Sequence, residues 1–288
     1  MLFRSALRRL RLGDAQVLRV ENPLSEDQSV MRPLILPGLL DAAQHNAAHG
    51  RAGVRLFESA HVYLPGGPLG PLEKRAETPA REPRHICVLL TEAAPGGWRT
   101  AARAADFYAA KGLLEGLMQA ASVDWRTQEG APAFLHPGRA ASIVAGDEIE
   151  LGWLGELHPL VPREWELDGP VAAFELDVDA LLELAPEAST YRDVTSFPAV
   201  LQDIAVIVPE DVPAAQLADV VRAGAGELLT SLGVFDLYHG EQVGEGHKSL
   251  ALRLEFRAPD RTLTDEEVAG RRGAIERELE SIGGRLRA

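Results

Sequence analysis

Phe235-Asp236-Leu237-Tyr238-His239-Gly240, followed after a short gap by Gly244-Glu245-Gly246-His247-Lys248-Ser249-Leu250-Ala251-Leu252-Arg253-Leu254-Glu255-Phe256, decides how this chain is read. Two strand-like runs joined by a polar, glycine-rich loop signal a β-hairpin. On the second run, Leu250, Leu252, Leu254 and Phe256 alternate with Ser249, Ala251, Arg253 and Glu255. A period of two sends the first set to a core face and the second to an open face. An open face that carries a tyrosine, small residues and an arginine is chemically suited to an unstacked base. Periodicity alone favours the plainer reading, an amphipathic hairpin with a solvated outer face.

The surroundings of the hairpin give it a place in a fold. Before it come a strand at 203–208 and a helix at 213–224 that turns Leu217, Val220 and Val221 inward. The hairpin strands span 232–239 and 248–257. A helix follows at 264–281, opened by Thr264-Asp265-Glu266-Glu267. Thr264 is the expected N-cap, and Glu267 three places on completes a capping box. Gly283-Gly284 ends the helix, and Arg285-Leu286-Arg287 forms a last short strand. The order βαββαβ is the split βαβ, or ferredoxin-like, arrangement.

Upstream, strands are expected at 54–63, 85–90, 140–145, 148–156 and 171–177, with helices at 106–118 and 178–184. Residues 65–84 and 93–97 are rich in Pro and Gly and read as loops. The basic, apolar start at 1–10 reads as an amphipathic helix or strand rather than a transit peptide. Ala185-Pro186-Glu187-Ala188-Ser189-Thr190 resembles a linker. The expected domains are therefore 1–188 and 189–288, in an α+β chain with a first antiparallel-sheet domain and a second ferredoxin-like one.

Composition sets limits. The chain has 288 residues, a formal net charge of −14 and one cysteine, Cys87. One cysteine excludes an internal disulfide framework and a Cys-rich zinc site, and fits a reducing compartment. No apolar run approaches the ~20 residues of a membrane span, so a cytoplasmic protein with no membrane contact is expected. The acidic balance argues against bulk electrostatic binding of nucleic acid. Residues 191–288 do not reverse it, with 11 Lys/Arg against 17 Asp/Glu. RNA recognition here has to be local, through stacking and a few placed groups.

At Ser196-Phe197-Pro198-Ala199-Val200, Asp203-Ile204-Ala205-Val206, Phe235-Asp236-Leu237-Tyr238, Lys248-Ser249-Leu250-Ala251 and Arg261-Thr262-Leu263-Thr264-Asp265-Glu266-Glu267, the last hundred residues resemble a known domain. It is the ferredoxin-fold anticodon-binding domain of bacterial phenylalanyl-tRNA synthetase beta subunits. The earlier part resembles the catalytic-like, class II synthetase-like domain of the same family. That likeness rests on Glu21-Asn22-Pro23-Leu24-Ser25, Met31-Arg32, Leu36-Pro37-Gly38-Leu39-Leu40, Leu56-Phe57-Glu58, Leu135-His136-Pro137-Gly138, Leu154-Gly155-Glu156-Leu157-His158-Pro159 and Phe174-Glu175-Leu176-Asp177. Family beta subunits are much longer, so the chain reads as a C-terminal piece of one.

The resemblance implies a non-catalytic chain. It implies an alpha-subunit partner in a heterotetramer of two alpha and two beta subunits, and tRNA(Phe) as the RNA. No cofactor is expected in this chain; ATP and magnesium belong to the alpha subunit. The resemblance also assigns Ala205, Asp236, Tyr238 and Ser249 to the first anticodon base, with Arg253 and Lys248 as possible RNA contacts. Tyr238 offers a stacking ring, Asp236 accepts from a guanine edge, and Ser249 donates or accepts. One departure is Gln202, where the family usually has Arg. The apolar Leu34–Leu40 segment is a candidate contact for the alpha subunit. The alternative function is a protein-interaction or dimerisation module that uses the ferredoxin-like sheet without RNA.

Other constellations point away from catalysis. Active class II enzymes hold the ATP phosphates with converging arginines, one of them two positions before a strand Glu. Here that position is Leu56, and Arg55, three residues from Glu58, points to the opposite face. His136 and His158 each precede a proline and have no third ligand at metal-site spacing, so turn or interface roles are expected and no metal site. Glu156 and Glu175 read as buried hydrogen-bonding groups rather than a catalytic pair. Gly240, Gly244 and Gly246 join two strands, so they lack the helix N-terminus that a phosphate loop needs.

Overall fold

The alternation of the sequence becomes strand pairing in the computed structural model of the chain. It describes residues 4–12, 17–25, 29–51, 53–66, 80–91, 98–99, 104–187, 197–240 and 242–287. Two compact units divide the chain, Met1–Thr190 and Tyr191–Ala288. The boundary expected at 188/189 lies outside the described residues.

In the first unit the basic, apolar start is a helix, α1 (Arg4–Arg9), whose Ala6 and Leu7 are buried. Then follow α2 (Leu36–Ala48), β1 (Arg55–His61), a short pair β2 (Leu64–Pro65) and β3 (Ala80–Arg81), and β4 (Arg84–Thr91). After these come α3 (Phe107–Ala121), β5 (Trp125–Gln128), β6 (Leu135–Ala145), β7 (Ile149–Leu157), α4 (Leu160–Glu164), β8 (Val171–Asp177) and α5 (Val178–Leu184). The sheet runs β1-β4-β8-β7-β6-β5 and every pairing in it is antiparallel.

Central β8 explains the layering. Six of its seven residues are buried, so both of its faces are covered. Ala172, Phe174 and Leu176 pack with Leu114 and Met118 of α3. Val171 and Ala173 pack in the opposite cluster with Leu36 and Leu40 of α2 and with Trp165. Each fully buried leucine in such a core contributes roughly 1.5–3 kcal/mol over an exposed one. The Leu34–Leu40 segment is therefore not an outer contact surface. Ile35, Leu36 and Leu40 are at most 1% exposed and belong to the unit's own core. This corrects the expectation drawn from its apolar run, and the reason is that α2 spends that run on the sheet beneath it.

The second unit is β9 (Val200–Pro209), α6 (Ala214–Ala225), β10 (Leu229–Tyr238), β11 (His247–Phe256), α7 (Asp265–Leu279) and β12 (Arg285–Leu286). Its sheet order is β10-β11-β9-β12, all antiparallel. The expected βαββαβ order and the α+β class both stand. Leu250, Leu252, Leu254 and Phe256 are buried against Leu217 and Val221 of α6 and Ile275 and Leu279 of α7. Helix α7 opens with the expected capping box, Thr264 and Glu267 each satisfying the other's backbone N–H. Helices α6 and α7 touch closely at Gly224, where an added Cβ would lie 2.6 Å from the Ile275 Cα.

Candidate nucleic-acid interface

Both helices of the second unit cover one face of its sheet, and the opposite face is built from cross-strand rows. Partners in register project to the same side, so each row can be followed across three strands. One row is Ala205, Ala251 and Asp236; the next is Ile207, Ser249 and Tyr238. A third row holds Asp203, Arg253 and Gly233. Four residues singled out from sequence, Ala205, Asp236, Tyr238 and Ser249, thus fall on adjacent rows of one face.

A bulge makes this possible. The register shifts between Val234 and Asp236, so Phe235 is the extra residue. Val234 pairs with core-facing Leu252, yet Asp236 two positions later pairs with open-face Ala251. Were Phe235 paired in regular register with no bulge, Asp236 and Tyr238 would share the side of Leu232 and point at the helices. Phe235 is 55% exposed and its ring lies beneath the Arg253 guanidinium, 5.2 Å from the ring centroid.

The charged groups of this face are mostly engaged. Arg253 donates two hydrogen bonds of 2.8 Å to the Asp203 carboxylate. Those bonds hold Asp203 below its ordinary pKa and raise that of Arg253. Arg253 is thereby on the open face but already paired. Lys248 is not on it. Lys248 pairs with core-facing Val208, and its ammonium donates to the Glu210 carbonyl at 2.6 Å. Its parity, one residue off Ser249, puts it on the helix side. Gln202 pairs with Leu254, also on the helix side, and its Oε1 is buried without a partner among the described residues.

Tyr238 and its neighbours close one end of the face. The Arg287 guanidinium sits over the Tyr238 ring, 5.1 Å from its centroid. Its main-chain N–H donates to the Ala205 carbonyl at 2.8 Å, and its side chain bonds Gln242. Gly240 lies under the phenol, since a Cβ there would be 2.4 Å from the tyrosine oxygen. Ser249, in the row of Tyr238, is only 3% exposed. Arg287, Gly240 and Phe235 were missed from sequence. The signal for Phe235 was a parity clash, because Leu232 and Val234 on the core side share the strict period with Asp236 and Tyr238. Arg287 carried one too, since it alternates with inward Leu286.

The first unit spends its buried acids on structure. Glu175, 1% exposed, accepts from the Ile35 and Leu36 N–H groups at the start of α2 and meets His85 Nδ1 at 2.9 Å. Glu156 accepts from the Phe107 N–H at the start of α3 and from Arg139. Each carboxylate thus satisfies orphan donors at a helix N-terminus, where negative charge is favoured. His136 and His158 each accept a backbone N–H two residues on, those of Gly138 and Leu160. Glu58 pairs with Arg32 at 2.8 Å. Burial pushes the Cys87 thiol well up, which keeps it protonated and unreactive. Among the described residues, no group of His, Cys, Asp or Glu is placed to hold a metal ion, and no helix is long and apolar enough to cross a membrane.

Comparison with known families separates the two units in the same way. Residues 4–178 match the phenylalanyl tRNA synthetase beta chain CLM domain. The chain belongs to the phenylalanyl-tRNA synthetase beta chain family. Residues 195–287 match the ferredoxin-fold anticodon binding domain, which here carries the open face. Among beta-chain relatives, the phenylalanine–tRNA ligase beta subunit of Moorella thermoacetica is 42% identical, over 98% of this chain and 35% of its own length. That of Symbiobacterium thermophilum is 41% identical over 94% of this chain and 30% of its own. The chain thus spans about a third of the length of these beta subunits. A solved pyrrolysyl-tRNA synthetase from Desulfitobacterium hafniense aligns with a TM-score of 0.43 at 15% identity, over 63% of this chain and 59% of that one.

Proposed function

We propose that this chain is a non-catalytic part of the beta subunit of a phenylalanine–tRNA ligase, and that its second unit binds the anticodon of tRNA(Phe). The observation that carries the reading is the pair of adjacent rows that gathers Ala205, Asp236, Tyr238 and Ser249 on the face away from the helices. Tyr238 stacks on the first anticodon base, a contact worth ~1–3 kcal/mol. Asp236, exposed at the strand edge, accepts from the base edge, and Ala205 leaves room beside it. Ser249 supplies the hydroxyl at the floor. In a unit of net negative charge, stacking and edge contacts select the base, and phosphate contacts from other surfaces add affinity.

The first unit serves as a scaffold for the catalytic alpha subunit, in an assembly of two alpha and two beta subunits. ATP, magnesium and phenylalanine are handled by the alpha subunit in the cytoplasm, and this chain alone activates no amino acid. A second reading has one observation in its favour. Val234 and Leu237, on the helix side of edge strand β10, are 43% and 52% exposed, which suits a protein partner. The open-face chemistry favours RNA.

The test is NMR titration of the full chain with the anticodon stem-loop of tRNA(Phe), then with the same stem-loop changed at the first anticodon base. Shifts clustered on β9, β10 and β11, and a roughly tenfold weaker response to the changed base, are expected. Equal response to both stem-loops, or none at millimolar RNA, refutes the reading.

A further inference from the structure

Lys248 lies on the helix side of its sheet, and its ammonium is spent on the main chain of a neighbouring corner. The acceptor belongs to Glu210, the residue after β9 in the turn that leads to α6. Among the described residues, Glu210 takes three contacts from the β10–β11 connection. Its carbonyl accepts from the Lys248 ammonium at 2.6 Å, its N–H donates to the Gly246 carbonyl at 2.9 Å, and its carboxylate lies 3.1 Å from His239 Nε2. These partners come from both ends of the loop, because His239 follows Tyr238 while Gly246 and Lys248 flank the start of β11. The corner is itself tied to the core: Val212 packs in the unit's core cluster, and its N–H donates to the Pro209 carbonyl at 3.2 Å. Within the loop, Val243 is buried and its N–H donates to the Gly240 carbonyl at 3.1 Å. The path ends at Tyr238. That residue closes edge strand β10, and its pairing with Ser249 is the last of the ladder. What lies beneath its phenol is therefore set by how the loop is held, not by strand pairing.

We propose that Lys248 and Glu210 are positioning residues: they clamp the β10–β11 loop so that Gly240 stays beneath the Tyr238 ring, and Lys248 contacts no RNA phosphate. The inference rests on the anticodon reading above. Gly240 and the phenol are too close to shift independently, since a Cβ at 240 would already lie 2.4 Å from the tyrosine oxygen. A ring held ready in its stacking position loses less freedom when a base arrives than one the base must order. The ammonium is occupied by a carbonyl and sits on the face opposite Tyr238, so removing it takes away support and no charge that the RNA meets. The Glu210 carboxylate is a second, separate strap, reaching His239 at the other end of the loop. The two roles open to Lys248 leave different marks on salt dependence. Loss of one phosphate contact flattens the slope of log K against log salt by about 0.7 to 0.9 and weakens all sequences alike. Loss of a positioning contact leaves that slope in place and narrows the discrimination between bases.

The experiment titrates the full chain, at stepped salt, with the tRNA(Phe) anticodon stem-loop and with the same stem-loop changed at the first anticodon base. Four proteins are compared: the parent, Lys248→Met, Lys248→Arg and Glu210→Ala. Lys248→Met keeps the apolar stem and loses the ammonium. It is expected to bind the unchanged stem-loop about fivefold more weakly, with the parent's salt slope, and its preference over the changed one is expected to fall from about tenfold to about twofold. Lys248→Arg keeps a donor and is expected to restore both affinity and preference. Glu210→Ala removes the strap to His239 and leaves the main-chain contacts, so it is expected to bind about twofold more weakly at the same slope. If Lys248→Met does not fold, Glu210→Ala decides by the same two readings. A Lys248→Met that binds like the parent, or that weakens both stem-loops equally, overturns the inference and leaves the platform standing; a flattened slope would make Lys248 a phosphate contact instead. A parent that binds both stem-loops alike ends the platform reading and takes the inference with it.

Discussion

At the scale of single residues, the geometry around Tyr238 depends on what is missing at position 240. A Cβ on Gly240 would lie 2.4 Å from the tyrosine oxygen and 2.7 Å from the adjoining ring carbon, so any side chain there turns the ring. Gly240→Ala is expected to cut binding of the anticodon stem-loop about as far as Tyr238→Ala does. Its effect on unfolding free energy is expected to stay within about 1 kcal/mol, because the loop gains what a lost glycine removes from unfolded-chain entropy. Parallel titration and denaturation of the variant check this; undiminished RNA binding would mean that Gly240 does not position the ring. The residues assigned from sequence were legible as chemistry, a ring, an acid and a hydroxyl at strand spacing. Lys248 was misplaced because motif membership says nothing about parity. One residue's offset from Ser249 sends it to the helix side, where the Glu210 carbonyl takes its ammonium.

Among the elements, α7 shows how local sequence and charge set an end. The Thr264 backbone N–H and Arg261 hold the Glu267 carboxyl at about 2, below its ordinary 4.5. A carboxyl depressed in the folded state contributes stability above its unfolded pKa, and that contribution is lost as pH falls through the folded one. The window here runs from about 4.5 down to about 2. Glu267→Gln should therefore lie below the parent in helix stability by a constant gap above pH ~5, and the gap should close as pH falls towards 2. Circular dichroism during denaturation at stepped pH measures it; a gap unchanged at pH 2 contradicts the assigned role. This cap was legible because Thr264 and Glu267 are three apart in sequence, as were the core face of β11 and the bounds of β8 and α5. Short β5 was not anticipated, since four residues at a sheet edge carry too little periodicity. The end of α2 that Glu175 satisfies was equally hidden, because the partners are 140 residues apart. The β10 bulge was legible only as a parity clash between Leu232 and Asp236.

On the scale of the whole molecule, two units carry different work. The first spends its buried carboxylates on helix ends and its apolar runs on two core layers. The second leaves one sheet face outside its core, with a ring, an acid and small residues in adjacent rows. The central claim is that Tyr238 and the first anticodon base act on each other. A double-mutant cycle tests it most directly, crossing Tyr238→Ala in the full chain with replacement of that base in the stem-loop. The account predicts that each change alone weakens binding about tenfold and that the two together weaken it little further. Penalties that multiply independently, to about a hundredfold, would contradict it.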